Sequence, residues 1–302
     1  MSSIGFERTD ALARPRTQGR LGAATAGVRR FIRYKPLGAI GAIILLGYVF
    51  VALLAPAIAP HDPYTIQDDA TFMSPSREFL MGTDNFGRDV FSRVLYGARI
   101  SLYVGLLSVG IGTTLGLVVG LTSGYYGGRF DFVAQRVVDM FQSFPALILA
   151  LAVVAALGAS INNVVVAIAA VTWPGASRVI RSGVLSLRQT TYVEAARALG
   201  CSHLRILARH ILPNVIPVYI VLVTAYLGTA ITTEASLSFL GLGTPPPTPS
   251  WGAMLSGAAQ RYATVAPWMA IFPGLALSLA VFAFNFVGDA LRDVLDPRLR
   301  GR

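Results

Sequence analysis

Residues 191–214 read TYVEAARALGCSHLRILARHILPN, a basic and polar stretch set between strongly apolar segments. Its local signals specify two short helices hinged at Gly200. Thr191 and Glu194 have the S/T-x-x-E spacing of a capping box, in which each side chain satisfies a free amide of the first turn. Gly200 sits where a left-handed C-cap ends such a helix. A second helix is predicted to start at Ser202 and to stop before Pro213, whose ring nitrogen has no proton for the helical ladder. A charged, well-specified helical pair of this kind is suited to contact something beyond its apolar neighbours.

Those neighbours read as membrane spans. The chain has 302 residues, 54% of them hydrophobic and only 13% charged, against roughly a quarter charged in a typical soluble domain. A membrane helix needs about 20 mostly apolar residues. Charge-free runs of that length predict an all-α polytopic fold with six spans, near 37–59, 100–122, 137–157, 164–182, 214–236 and 267–288. The run over 140–177 is too long for one helix and divides at GASINN (158–163). The GLGTPPPTPSWG segment (241–252) carries prolines that a lipid-facing helix does not tolerate, so 241–266 reads as an external loop.

The net charge of +10 is unevenly placed. With the amino terminus inside, the inner segments hold eight basic residues in 1–36, two in 123–136, six in 178–213 and four in 289–302. Those are 20 of the 25 Lys and Arg residues. The outer segments hold only Arg77, Arg88, Arg93, Arg99 and Arg261. This asymmetry follows the positive-inside rule and places both termini in the cytoplasm. It explains the positive charge by topology and attraction to anionic membrane lipid, with no nucleic-acid partner required.

Residues 1–30 are rich in Arg, Ala and Gly without apolar periodicity, and are predicted to form a flexible basic cytoplasmic arm. Residues 31–302 are predicted to form one transmembrane domain, with 183–213 as its polar inner loop. The apolar run at 37–59 follows too long an arm and is too long itself for a secretory signal, so it reads as a retained first span. Cys201 is the only cysteine, which excludes an internal disulfide. Gly112, Gly116, Gly120 and Gly124 recur every four residues in the second span, and predict close helix packing within the chain.

The 191–214 stretch resembles the EAA loop of ATP-binding-cassette importer permeases. The family pattern is EAA, three residues, Gly, nine residues, Ile, one residue, Leu-Pro. Glu194, Ala195, Ala196, Gly200, Leu212 and Pro213 match it, and His210 stands at the Ile position with Ile211 beside it. The resemblance implies that Tyr192, Glu194, Ala195, Ala196, Ala198, Leu199, Gly200, Cys201 and Ser202 form a coupling element seated in a groove of a separate ATPase subunit. GTDNFGRDVFSRVLYGARISL (82–102), EASLSFLGLGTPPPTPSWGAML (234–255) and FNFVGDALRDVLDPRLR (284–300) extend the similarity to dipeptide/oligopeptide permeases of the C-subunit type. That resemblance implies a second related permease subunit, two ATPases that carry the ATP and Mg, and an extracytoplasmic substrate-binding protein. Peptides are the implied cargo, with nickel chelates, heme-like ligands or oligosaccharides carried by relatives.

The chain's own chemistry is limited. Lys35 is its one lysine and lies between Tyr34 and Pro36, so no phosphate-cradling Gly-Lys loop exists and no cofactor site is expected in this chain. His61, His203 and His210 are too scattered to form a metal or catalytic constellation. Glu234, an acid in the outer half of a span, reads either as a structural group paired to backbone or to Arg261, or as part of an outer gate. Asn285 is a second candidate pathway residue. Asp131 and Asp139, with Arg136, are expected to form a surface ion-pair cluster. The long outer loops 60–98 and 241–266 are expected to receive the binding protein, with Asp68, Asp69 and Arg261 as candidate contacts. A secondary transporter would need midplane ionisable groups or broken helices around an internal site, and a membrane scaffold would show no coupling to ATP.

Overall fold

The structure, a computed structural model, describes Arg33 and residues 35–295; the arm expected over 1–30 lies outside these residues. Apart from an isolated bridge between Thr83 and Asp89, the regular elements among them are helical. In chain order these are α1 (Pro36–Ile58), α2 (Val90–Tyr126), α3 (Gly128–Gln142), α4 (Ala146–Leu157) and α5 (Ile161–Leu187). They continue as α6 (Thr191–Ala198), α7 (His203–Ile206), α8 (Leu212–Phe239), α9 (Trp251–Arg261) and α10 (Trp268–Leu295). A 3-10 turn covers Asp68–Ala70, and a π-helical turn, Leu207–Ile211, joins α7 to α8.

Among the described residues, five helical stretches are long and apolar enough to cross a membrane, and a sixth crossing exists if the bent pair α3–α4 counts as one span. The expected third span over 137–157 is therefore corrected. The chain bends by 89° between α3 and α4, because Phe144 precedes a proline and is driven out of the helical region. Pro145 itself is extended, at ψ 132°, and starts the new helix. The division expected at 158–163 is present: α4 ends at Leu157, and the Ser160 side chain accepts the Asn163 amide to open α5. The 241–266 segment is not wholly a loop, since α9 lies inside it. Ser250 caps α9 by accepting the Ala253 amide.

The glycine series sets the closest helix contact. Gly112, Gly116, Gly120 and Gly124 face α5, and a Cβ placed at Gly120 would lie 2.4 Å from the Ser177 carbonyl oxygen. At Gly116 it would lie 2.6 Å from the Ala176 Cβ. Small residues thus let two backbones touch, where dispersion rather than water exclusion holds helices together. Around this seam Val104 and Val109 of α2 join Val154 of α4, Ile168 of α5, Leu227 and Ile231 of α8 and Phe284 of α10 in one core.

A second core lies near the start of α2. Trp251 of α9 is buried there, and its indole N–H donates to the Val94 carbonyl at 3.0 Å. Gly97 makes room for the ring, since a Cβ on it would approach the indole to 2.8 Å. The segment before α2 is fixed by side chains: Trp268 donates to the Thr83 carbonyl at 3.0 Å, and Asp84 accepts the amides of Phe86 and Arg88.

Gly116→Ala and Gly120→Ala should each overpack the α2–α5 seam and lower stability by roughly 1–3 kcal/mol. Gly110→Ala is the matched control, because its Cβ meets nothing within 4 Å. Thermal unfolding of the detergent-solubilised protein should show lowered midpoints for the first two variants and an unchanged one for the third.

Candidate functional site

The two-helix reading of 191–214 holds at its hinge and is corrected at both ends. Gly200 adopts φ +77°, a left-handed conformation that glycine takes without a Cβ penalty. The Cys201 amide donates to the Ala196 carbonyl at 3.1 Å and the Gly200 amide to the Arg197 carbonyl at 3.0 Å. These two bonds make a Schellman C-cap on α6. Ser202 then accepts the Arg205 amide through its side chain and opens α7.

The capping box expected from Thr191 and Glu194 does not form. Thr190 is the N-cap and Thr191 is already helical. The Thr190 hydroxyl is turned back onto the Leu187 carbonyl at 2.6 Å, and the Thr190 carbonyl receives the amides of Val193 and Glu194. Helix formation starts from that backbone acceptor, which leaves the Glu194 side chain exposed.

The expected stop before Pro213 is also overturned. His203–Phe239 runs on as one helical rod. The π turn lets the Leu212 amide reach back to the Leu207 carbonyl, and Pro213 then falls in the first turn of α8, where a missing N–H costs no bond. The part of this segment from His203 onward is consequently continuous with the long apolar helix α8.

One face of this unit is buried and the other is open. Val193, Ala196, Ile206, Leu207 and Ile211 pack with Tyr125 of α2, Ile180 and Val184 of α5 and Val215 of α8. Ala196 therefore serves the inner face, where a small residue lets α6 lie flat. Cys201 is half-buried against the same cluster. Tyr192, Glu194, Ala195, Ala198, Leu199, Gly200 and Ser202 are exposed. Leu199 is 85% exposed and Leu204 75%, two apolar side chains standing out on either side of the Gly200 turn. Leu204 escaped the sequence reading, although an apolar residue between His203 and Arg205 was its visible signal.

Polar contacts tie the unit to the spans. The Tyr125 hydroxyl lies 2.8 Å from His203 Nδ1, joining the end of α2 to α7. Asn214 donates to the His210 carbonyl at 2.7 Å and to the Tyr192 hydroxyl at 3.4 Å. Arg188 donates to the Gly124 carbonyl at 3.0 Å. The expected Arg136–Asp139 pair is present at 3.8 Å, but the shorter partners come from α5. Arg181 grips Asp131 through Nε at 2.6 Å and Nη2 at 2.5 Å, and Arg178 reaches Asp139 at 2.6 Å. These links fasten α3 to α5 across 50 and 39 residues of sequence.

Comparison with known proteins decides the family. The model of the family described as "Binding-protein-dependent transport system inner membrane component" matches residues 112–301, and that of the "N-terminal TM domain of oligopeptide transport permease C" matches 26–75. The chain belongs to the binding-protein-dependent inner-membrane permeases. A protein of Brucella abortus biovar 1 named as a peptide transport system permease is 44% identical over 272 residues, covering 90% of this chain and 91% of the relative. The glutathione transport system permease protein GsiD of Escherichia coli O1:K1 is 45% identical over 274 residues, covering 90% of each chain. The inward-facing MetNI methionine ABC transporter shares the fold, with a TM-score of 0.57 at 19% identity over 68% of this chain and 96% of that one. As an ABC importer permease the protein is a multi-pass membrane subunit that is not itself catalytic, and ATPase and permease partners follow from the family.

The remaining candidate residues lie apart from this segment. Glu234 is fully buried, and its Oε1 accepts from the Ser238 hydroxyl at 2.7 Å. No ion pair joins it to Arg261 among the described residues. Asn285 is exposed, its Oδ1 beside Gly228, and it lines a small cavity of about 310 Å³ with Val221, Ala225 and Arg292. Glu234 and Asn285 therefore do not form one constellation. Asp68 and Asp69 are exposed on the 3-10 turn, and Arg261 is exposed at the end of α9.

Gly200→Val should strain the α6 cap by about 1–2 kcal/mol, whereas Gly200→Asn should retain it, because asparagine tolerates the left-handed region. Amide exchange at Cys201, whose N–H closes the cap, should lose protection in the valine variant and keep it in the asparagine variant.

Proposed function

We propose that this permease imports di- or oligopeptides across the cytoplasmic membrane of a prokaryote. It acts with a second related permease subunit, two ATPases that bind ATP and Mg, and an extracytoplasmic binding protein. Both of its termini are cytoplasmic. The cargo reading is supported by relatives named for peptide and for glutathione transport, glutathione being a tripeptide. The observation that carries the mechanism is the two-faced coupling segment, buried against α2, α5 and α8 and exposed along Glu194, Ala195, Ala198 and Leu199.

The exposed face docks on an ATPase. Leu199 and Leu204 supply apolar anchors, and Arg197, Arg205 and Arg209 surround them with positive charge. When the ATPases close, the segment moves as a rigid body. Its continuity with α8 and its Tyr125 contact carry that motion into the spans, which switch access from one side to the other. Glu234 holds the opposite end of α8 in place, and Asn285 lines the pathway.

Glu194→Ala and Leu199→Asp change exposed groups and should leave membrane abundance at the wild-type level. Each should lose ATPase co-purification, or uncouple ATP hydrolysis from peptide uptake, by about tenfold or more, the scale expected for a contact at the centre of an interface. Wild-type docking and uptake in both variants would remove the coupling role from this face.

Orientation is tested with Cys201 as the one native cysteine and, separately, with a cysteine at Asn162 in a Cys201→Ser background. A cysteine at Asn162 should label with an impermeant reagent from outside, and Cys201 only after permeabilisation. External labelling of Cys201 in intact cells would reverse the topology. Charge reversal at Asp68 and Asp69 should weaken stimulation of the ATPases by loaded binding protein while assembly is preserved.

A further inference from the structure

At the end of α2 remote from the coupling segment, a cavity of about 340 Å³ opens between residues 84–93 and α9. Its walls carry three guanidinium groups, from Arg88, Arg93 and Arg261, against the single carboxylate of Asp84. That carboxylate is fully engaged. Its Oδ2 accepts from Arg88 Nε at 2.7 Å and lies 3.7 Å from Arg93 Nε, while Oδ1 accepts the amides of Phe86 and Arg88. Arg93 is buried and held rigidly, its Nη1 donating to the Pro63 carbonyl at 2.9 Å and the Pro247 carbonyl at 3.4 Å. Arg261 is exposed and has no ion-pair partner among the described residues. The cavity thus holds an excess of positive charge, with two cations fixed at its back and one free at its mouth.

The rim is apolar and open. Phe86 is 46% exposed with the Arg88 guanidinium 4.6 Å over its ring, and Met254 lines the wall opposite. A Cβ at Gly257 would meet nothing within 4 Å, so the α9 side leaves space for an incoming group. The segment that leads into α2 also exposes the acids Asp62, Asp68, Asp69 and Glu78, whose charge opposes free anions and broadly acidic surfaces. A carboxylate fixed on a folded partner is brought to these arginines by the partner's other contacts, an advantage that a free anion lacks.

We infer that this cavity receives one aspartate or glutamate side chain of the extracytoplasmic binding protein, an inference that rests on the importer reading above. The arginines read the carboxylate, Phe86 and Met254 exclude water around it, and Arg261 closes over it. Preorganised guanidinium groups on an apolar floor make a charge-assisted contact stronger than an isolated surface pair.

The complete transporter in neutral-lipid nanodiscs tests the assignment, with affinity for its cognate binding protein measured over a salt series. Arg261→Glu alters an unpaired side chain, and Gly257→Leu fills the cavity from a position with free space. Membrane abundance and ATPase co-purification verify that both assemble. Each variant should bind the binding protein about tenfold more weakly, and Arg261→Glu should also flatten the salt dependence. Wild-type affinity in both would overturn the inference. Weakening by Gly257→Leu alone would show contact without charge recognition and overturn the acidic occupant. A difference between wild type and Arg261→Glu that appears only with anionic lipid would assign the cavity to a headgroup and equally overturn it. Failure of wild-type transporter to bind or respond to any binding protein would instead sink the importer reading.

Discussion

Direct backbone contact between α2 and α5 is the constraint on which the other contacts depend. In lipid, two apolar helices gain little by hiding from each other, so only close dispersion contact and hydrogen bonding hold them. The Gly112–Gly124 series permits that approach, and a Cβ at Gly116, Gly120 or Gly124 would lie only 2.4–2.9 Å from α5, so no larger residue fits. Because the seam ends at Gly124, it brings Tyr125 beside Val184 and Arg188. Those residues form the platform on which α6 and α7 lie. A shift of one helix turn along the seam would remove that platform.

The platform explains why a short, exposed helix of eight residues is well defined. An isolated helix of this length is unstable in water. Here Val193 and Ala196 bury one side, the Schellman bonds at Gly200 close the end, and Ser202 starts the next turn. The π turn at 207–211 then resolves a conflict between two requirements. Pro213 cannot donate to an α-helical ladder, yet the helix that starts at His203 runs on through it into α8. One wide turn satisfies Leu212 through Leu207 and lets the rod continue.

Much of this was legible in the sequence, and the rest was hidden for specific reasons. Span composition, the glycine spacing and the left-handed Gly200 depend on local chemistry and were read correctly. The capping box failed because Thr190 competed for the role, and its hydroxyl bonded backward to Leu187. The break at Phe144–Pro145 carries a standard proline signal, but the apolar run through it masked the bend. Arg181 and Asp131 are 50 residues apart, so no helical spacing rule could join them. The arginine-lined cavity depends on α9, a helix anchored by Trp251, whose indole reaches Val94 across 157 residues.

The distribution of proline completes the account of how one end of the molecule can act on the other. α2 spans 37 residues without a proline, roughly 55 Å of uninterrupted ladder. It carries Arg93 and Val94 at one end and Tyr125 at the other, so the arginine-lined cavity and the coupling segment are fixed to a single strut. α5, α8 and α10 each contain a proline, at Pro174, Pro217 and Pro273, where the ladder lacks a bond and bending costs least. The His203–Phe239 rod starts three residues beyond the Gly200 turn, and the proline sites are where it and its neighbours bend most readily. The glycine seam holds α5 against α2 on both sides of Pro174, so bending is least hindered in α8 and α10, at Pro217 and Pro273.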